Sequence, residues 1–225
     1  MRVYHFLSKS YGLQAIENRK IKISRLVALN DPFEFFCLNT DNYVVRKTLQ
    51  ERRNRASRSF GILCFSGNRD SPVQWTHYAD SHRGLCLGFD IPESKLIEVE
   101  YVEERASESE FNEALSYRQF EFLRRMVSRK YIHWEYEQER RMLVRISAAQ
   151  EADSLVFESF SGTLRLKEVL IGHRCSLSKK KLTKLLGKYD VPPEVDLMLP
   201  SNTEFKMERS KDLLEPNNSL RARRP

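Results

Sequence analysis

The sequence predicts an α+β domain built on a largely antiparallel or mixed sheet. Three observations point there. The hydrophobic pattern runs strand, helix, strand and then many strands with few helices, which segregates the two element types rather than alternating them. Neither a G-x-G-x-x-G nor a G-x-x-x-x-G-K-[ST] loop occurs, which argues against a doubly wound nucleotide-binding domain. With 225 residues, 40% hydrophobic and 31% charged, the chain is long enough to bury one proper core.

The elements follow from periodicity and punctuation. "RVYHFL" reads as a short strand, after which Ser10 is placed to cap a helix "YGLQAIENR" with Leu13 and Ile16 on its apolar side. "KIKISRL" alternates with Ile21 and Ile23 on one face, and Asn30-Asp31-Pro32 closes the unit as a turn. Residues 41–59 read as a basic helix. "FGILCFS" and "RGLCLGFDI" are continuous apolar runs of buried-strand length, separated by a loop that enters a short helix near Trp75. "KLIEVEYV" alternates like a half-exposed strand. Ser107 and Glu110 have capping-box spacing, opening a helix that carries Phe111, Leu115, Phe122 and Met126 to about Lys130. "HWEYEQERRML" then reads as a strand running into "RRMLVRI". "LVFESF" and "LKEVLIG" are two more strands, "SKKKLTKLLGKY" is an amphipathic helix, and "EVDLML" is a last strand. Residues 1–203 form the expected domain, and residues 204–225 are expected to be a flexible basic tail.

Charge is unevenly placed. The net charge is +7, and residues 46–58 carry six basic side chains against Glu51, whereas residues 93–113 carry eight glutamates. The basic segment and the tail are the sequence's candidates for docking a macromolecule, protein or RNA/DNA. No interleaved aromatics within 46–58 suggest base stacking. No apolar run is long enough to span a bilayer, and the N-terminus has no apolar leader, so a cytoplasmic protein without membrane contact is expected. The four cysteines have no C-x-x-C spacing, and His77, His82 and Cys86 match no common zinc pattern, so reduced thiols and no metal are expected.

Four clusters combine aromatic with titratable or hydrogen-bonding groups: Tyr4-His5, "NDPFE" (30–34), "WTHYAD" (75–80) and "YEQERR" (136–141). Each has a structural reading. His5 suits a satisfied strand histidine, Asp31 suits a turn acceptor with Phe33 plugging the core, and Trp75 and Tyr78 share a helix face as a core pair would. If 133–143 is extended, Glu135, Glu137 and Glu139 lie on one face. They then either pair with exposed arginines or line a site where a carboxylate stabilises a cation.

The series "YHFLS", "NDPFE", "CFS", "WTHYADSHRGLCLGFD", "W-x-Y-E-x-E-x-R" and "LIGH", over about residues 3–175, resembles a bacterial domain family of unknown function. That family is similar to the ADP-ribosyltransferase superfamily and to abortive-infection proteins of phage defence. The resemblance implies two small packed sheets forming a split cleft that binds NAD as co-substrate. It implies transfer of ADP-ribose to a macromolecule, in phage defence or as a toxin. His5, with Tyr4, would contact the adenosine-side ribose, and Asn30 and Asp31 would complete the binding site. Tyr78 would stack on nicotinamide, with Trp75 or the Ser66 hydroxyl as the alternative middle element. Glu139 would face the ribose, Glu137 would orient the acceptor, and Arg140 or Arg141 would screen the acids or meet the pyrophosphate. The alternatives are a non-catalytic nucleotide- or nucleic-acid-binding module, such as an antitoxin or sensor with a partner protein, and an NAD glycohydrolase.

Overall fold

The computed structural model describes residues 1–35, 37–151 and 153–210. It is a mixed α/β structure with a mixed sheet and several helices, in keeping with the α+β expectation. The strands are β1 (Arg2–Leu7), β2 (Lys20–Arg25), β3 (Phe60–Ser66), β4 (Leu85–Asp90), β5 (Ile97–Glu98), β6 (Glu100–Val102), β7 (Arg129–Tyr131), β8 (Glu139–Arg145), β9 (Val156–Ser159), β10 (Arg165–Gly172), β11 (Glu194–Pro200) and β12 (Met207–Ser210). The helices are α1 (Lys9–Asn18), α2 (Tyr43–Ser59), α3 (Pro72–Tyr78), α4 (Glu108–Leu115), α5 (Gln119–Met126) and α6 (Lys179–Leu186).

Ten strands form the main sheet, ordered β12-β11-β10-β4-β1-β3-β2-β9, with β8 on β3 and β5 on β8. Neighbours are antiparallel except β10 and β11; β6 and β7 form a separate parallel pair. The strand that organises the site is β3. Along one edge it pairs with β8 from Phe60↔Arg145 to Ser66↔Glu139. The other edge is shared. β2 pairs only at Ser24↔Ile62 and Arg25↔Gly61, and β1 pairs only at Tyr4↔Ser66. The sheet is therefore split between β1 and β2 opposite Leu63–Phe65. β2 can lie this close because residue 61 is glycine: a Cβ there would stand 2.2 Å from Ile23 Cγ2 and 3.0 Å from the Ser24 carbonyl oxygen.

One face of the sheet carries the largest apolar cluster, where Leu13 and Ile16 of α1 and Leu182, Leu185 and Leu186 of α6 meet Leu63, Phe65, Leu87 and Val169. The alternation of β3 sends Phe60 and Ile62 to the opposite face, into a cluster with Leu49 of α2, Phe111 of α4 and Phe122 of α5. A smaller cluster on that second face packs Tyr4 and Phe6 against Trp75 of α3, with Met198 and Met207. The ground between these two clusters is where polar side chains collect.

Several local expectations change. Ser8, not Ser10, caps α1, its Oγ accepting from Tyr11 N–H. The helix opened by the Ser107–Glu110 capping box ends at Leu115, and a second one begins at Gln119. Phe33 does not plug the core: it is 45% exposed, and Phe35, at 1%, takes that place. The segment expected as a tail from residue 204 contains β12, which pairs with β11 from Pro200↔Met207 to Leu197↔Ser210. Residues 211–225 of that expected tail lie outside the described residues. Among the described residues no helix is long and apolar enough to cross a membrane.

Candidate functional site

The largest change concerns the three acids. Ile132–Glu137 is a 3-10 helix, not a strand, and Gln138 follows in the left-handed region at φ 45° before β8 begins at Glu139. Period-2 reasoning therefore fails across 135–139. Glu135 is exposed, whereas Glu137 and Glu139 are buried and converge. Gln74 of α3 anchors the turn. Its Nε2 donates to Ser66 Oγ (2.9 Å) and to the carbonyl oxygens of Tyr136 (2.9 Å) and Glu137 (3.2 Å), while Gly67 N–H donates to the Gln138 carbonyl (2.8 Å).

Glu137 and Glu139 belong to a buried cluster with Glu34, Lys130 and Arg141. Lys130 Nζ lies 2.6 Å from Glu137 Oε2, 3.2 Å from Glu139 Oε2 and 3.3 Å from Glu34 Oε1. Arg141 forks onto Glu139, Nε to Oε1 at 2.8 Å and Nη2 to Oε2 at 2.7 Å, pairs with Glu34 at 3.0 Å, and gives Nη1 to the Val127 carbonyl at 2.9 Å. Burial alone would raise the Glu139 carboxyl, but the Arg141 charge, its hydrogen bonds and Lys130 prevail and hold it at about 2. The Lys130 ammonium shows the same contest: burial disfavours its charge, and Glu139, Glu34 and Glu137 together still raise it. The Glu34 carboxyl is raised, because its burial outweighs Arg141 and Lys130. With every group ionised, three carboxylates face two cations, leaving one excess negative charge.

The cluster floors a cavity of about 250 Å3 that opens in the split between β1 and β2. Tyr4, His5, Asn30, Ser66, Tyr78, Glu137 and Glu139 all line it. Seven of the residues expected from the sequence are thus brought together by folding. His5 donates Nδ1–H to the Cys64 carbonyl at 2.8 Å, supplying that backbone acceptor with a partner inside the split. Burial lowers the His5 imidazole, and the bonded nitrogen fixes Nε2 as the one without hydrogen in the neutral ring. Tyr78, at the end of α3, donates its hydroxyl to Glu137 Oε1 and accepts from Asn30 Nδ2 at 3.3 Å. Burial first, and then the bonded Glu137 carboxylate, push the Tyr78 phenol well above its ordinary value.

Other candidates are placed elsewhere. Trp75 is fully buried away from the cavity, its indole N–H donating to the Arg69 carbonyl at 2.7 Å, so it is no alternative stacking surface. Arg140 pairs with Glu98 at 2.6 Å and does not line the cavity; Arg141 is the arginine that screens the acids. Asp31 is buried with Oδ1 accepting from Phe33 N–H at 2.9 Å, as its turn role requires, and it too stands outside the cavity wall. Ser66 Oγ is engaged three ways, donating to the Asn68 carbonyl and accepting from Asn68 N–H and Gln74.

Sequence reasoning missed Lys130, Glu34 and Gln74 as site residues. Glu34 lies within "NDPFE" and so carries a signal; Lys130 and Gln74 carry none. Counting acceptors separates the two cavity carboxylates. A carboxylate offers about four lone-pair sites. Glu139 spends three of them on two Arg141 bonds and Lys130, whereas Glu137 receives only Tyr78 and Lys130 and has more room.

Among the described residues no group of three or more His, Cys, Asp or Glu side chains is placed to hold a metal ion. Fold and site together define a mixed-sheet protein with a split-sheet cavity floored by a carboxylate-rich ion cluster. Neither a protein-family model, nor a curated protein, nor a solved structure matches the chain.

Proposed function

We propose that the cavity binds the nicotinamide-ribose end of NAD and that the protein, an ADP-ribosyltransferase-like enzyme, transfers ADP-ribose to a macromolecular acceptor. The observation that carries this is the pairing of Tyr78 with Glu137 beside a buried cluster of three carboxyl groups and two cations. Breaking the bond between C1′ of the ribose and the nicotinamide nitrogen sends the bonding electrons to the ring and leaves a cationic, oxocarbenium-like ribosyl carbon. A carboxylate with free acceptor sites on the cavity wall stabilises that charge and holds the 2′-hydroxyl. The acceptor's lone pair then forms the new bond to C1′, and its proton passes to solvent.

In this reading Glu137 faces the ribose, in the role that the resemblance implied for Glu139. Glu139 becomes the positioning carboxylate that keeps Lys130 and Arg141 in place. Tyr78 orients Glu137 and offers its ring to nicotinamide, and His5 and Tyr4 hold the far ribose. The split β1/β3/β2 edge supports an ADP-ribosyltransferase-like arrangement.

The test is release of nicotinamide from labelled NAD in the presence of protein, RNA, DNA or lysate. Wild type is expected to release it, and Glu137→Gln to lose on the order of a hundredfold or more. NAD binding without cleavage would favour a non-catalytic nucleotide-binding module, and absence of both binding and cleavage would sink the proposal.

A further inference from the structure

A second concavity, of about 550 Å3, lies between the start of α2 and the turn that follows β2. It mixes aromatic and basic side chains that sequence order keeps apart. Phe33 comes from the turn, Tyr43, Arg46 and Lys47 from the first turns of α2, and Arg105 from the loop before α4. The two rings are open to solvent, Tyr43 by 68% and Phe33 by 45%. Arg105 lies over the Phe33 ring at 4.4 Å. Among the described residues no ion pair engages Arg46, Lys47 or Arg105, and Asp41 is the one acid on the wall. The charges are therefore available to an anion, and the Tyr43 ring and the Phe33 face away from Arg105 to a flat ring.

We infer that this groove binds single-stranded nucleic acid, its bases stacked on Tyr43 and Phe33 and its phosphates held by Arg46, Lys47 and Arg105. Aromatic faces interleaved with cations are how unpaired strands are held without sequence preference. A duplex hides its base faces, and an acidic peptide offers none, so neither uses the rings. The groove is also tied to the cavity. The single turn 30–35 gives Asn30 to the cavity wall, Glu34 to the ion cluster and Phe33 to the groove. This deepens the transferase reading by naming the acceptor class, and it rests on that reading for the acceptor role alone.

The test is fluorescence anisotropy without NAD, using the full chain with labelled oligouridine and oligothymidine of about twelve nucleotides, within the usual site size. Saturable binding is expected. Phe33→Ala and Tyr43→Ala should each weaken it by about tenfold or more. The double variant Arg46→Ala/Lys47→Ala should reduce the salt slope by roughly 0.7 for each phosphate that is no longer neutralised. The two oligomers together decide whether RNA or DNA is preferred. Both rings are exposed, so these variants are expected to keep the wild-type unfolding midpoint. Absence of binding, equal affinity for a duplex or for polyglutamate, or indifference to both aromatic substitutions would overturn the inference. Because no NAD is present, loss of binding with nicotinamide release intact removes the groove alone, and the converse removes the transferase reading alone.

Discussion

Glu139 and Arg141, two residues apart on β8, meet through two parallel hydrogen bonds of 2.8 and 2.7 Å at full burial. Side chains at this spacing share one face of a strand, and here that face is turned inward. Removing one member strands the other charges away from water. We predict that Arg141→Met destabilises the fold by about 3–5 kcal/mol in urea unfolding. A loss under about 1 kcal/mol would mean that the remaining lysine suffices to compensate the carboxylates.

The same pair sets an acid dependence. The Glu139 carboxyl is held at about 2 when folded against an ordinary 4.5, so its contribution is complete above the ordinary value and disappears as pH falls towards about 2. His5 acts earlier and in the same direction: burial lowers its imidazole below the ordinary 6.5, so its contribution declines as pH falls from there. Urea midpoints should drop in two stages on acidification, with Glu139→Gln flattening the lower and His5→Gln the upper. A profile unchanged by both variants contradicts this assignment.

Tyr78→Phe removes a donor to Glu137 without opening a void. On the proposed chemistry the ring that faces nicotinamide remains, so KM for NAD should hold while kcat falls on the order of tenfold. A rise in KM with unchanged kcat would show that the phenol binds substrate rather than orienting the carboxylate.

Gly61→Ala places a methyl 2.2 Å from Ile23 Cγ2. Either β2 moves off β3 or the side chain is forced from its rotamer, and a loss of about 1–3 kcal/mol is expected. Faster amide exchange at Ser24 and Arg25 would locate the damage at the split; wild-type exchange and stability would show that the edge has slack.

Much of this architecture is legible in the residues. Apolar runs such as "FGILCFS" and "LKEVLIG" announce buried strands, because a strand covered on both faces needs no polar alternation. The clusters Tyr4-His5, "NDPFE", "WTHYAD" and "YEQERR" do converge, each placing at least one side chain on the wall of the same cavity. What sequence could not show is the turn at 132–137. Its pivot, Gln138, is left-handed without being glycine, and its anchor, Gln74, is an ordinary helix residue 64 positions away whose amide happens to reach two carbonyls. Alternating acids imitate a strand so well that only long-range bonds reveal the helix. Lys130 is equally silent, because a lysine is buried only where enough carboxylates surround it, and those arrive from two segments about a hundred residues apart in sequence.

The ion cluster also gives the molecule a thermal character. Water solvates ions less well as it warms, so the penalty for withholding it from Glu34, Lys130, Glu137, Glu139 and Arg141 shrinks with heat, while the apolar clusters around them gain little. The floor of the cavity is thus expected to tighten relative to its surroundings on warming, and chilling, rather than heating, is the condition under which it should first admit solvent.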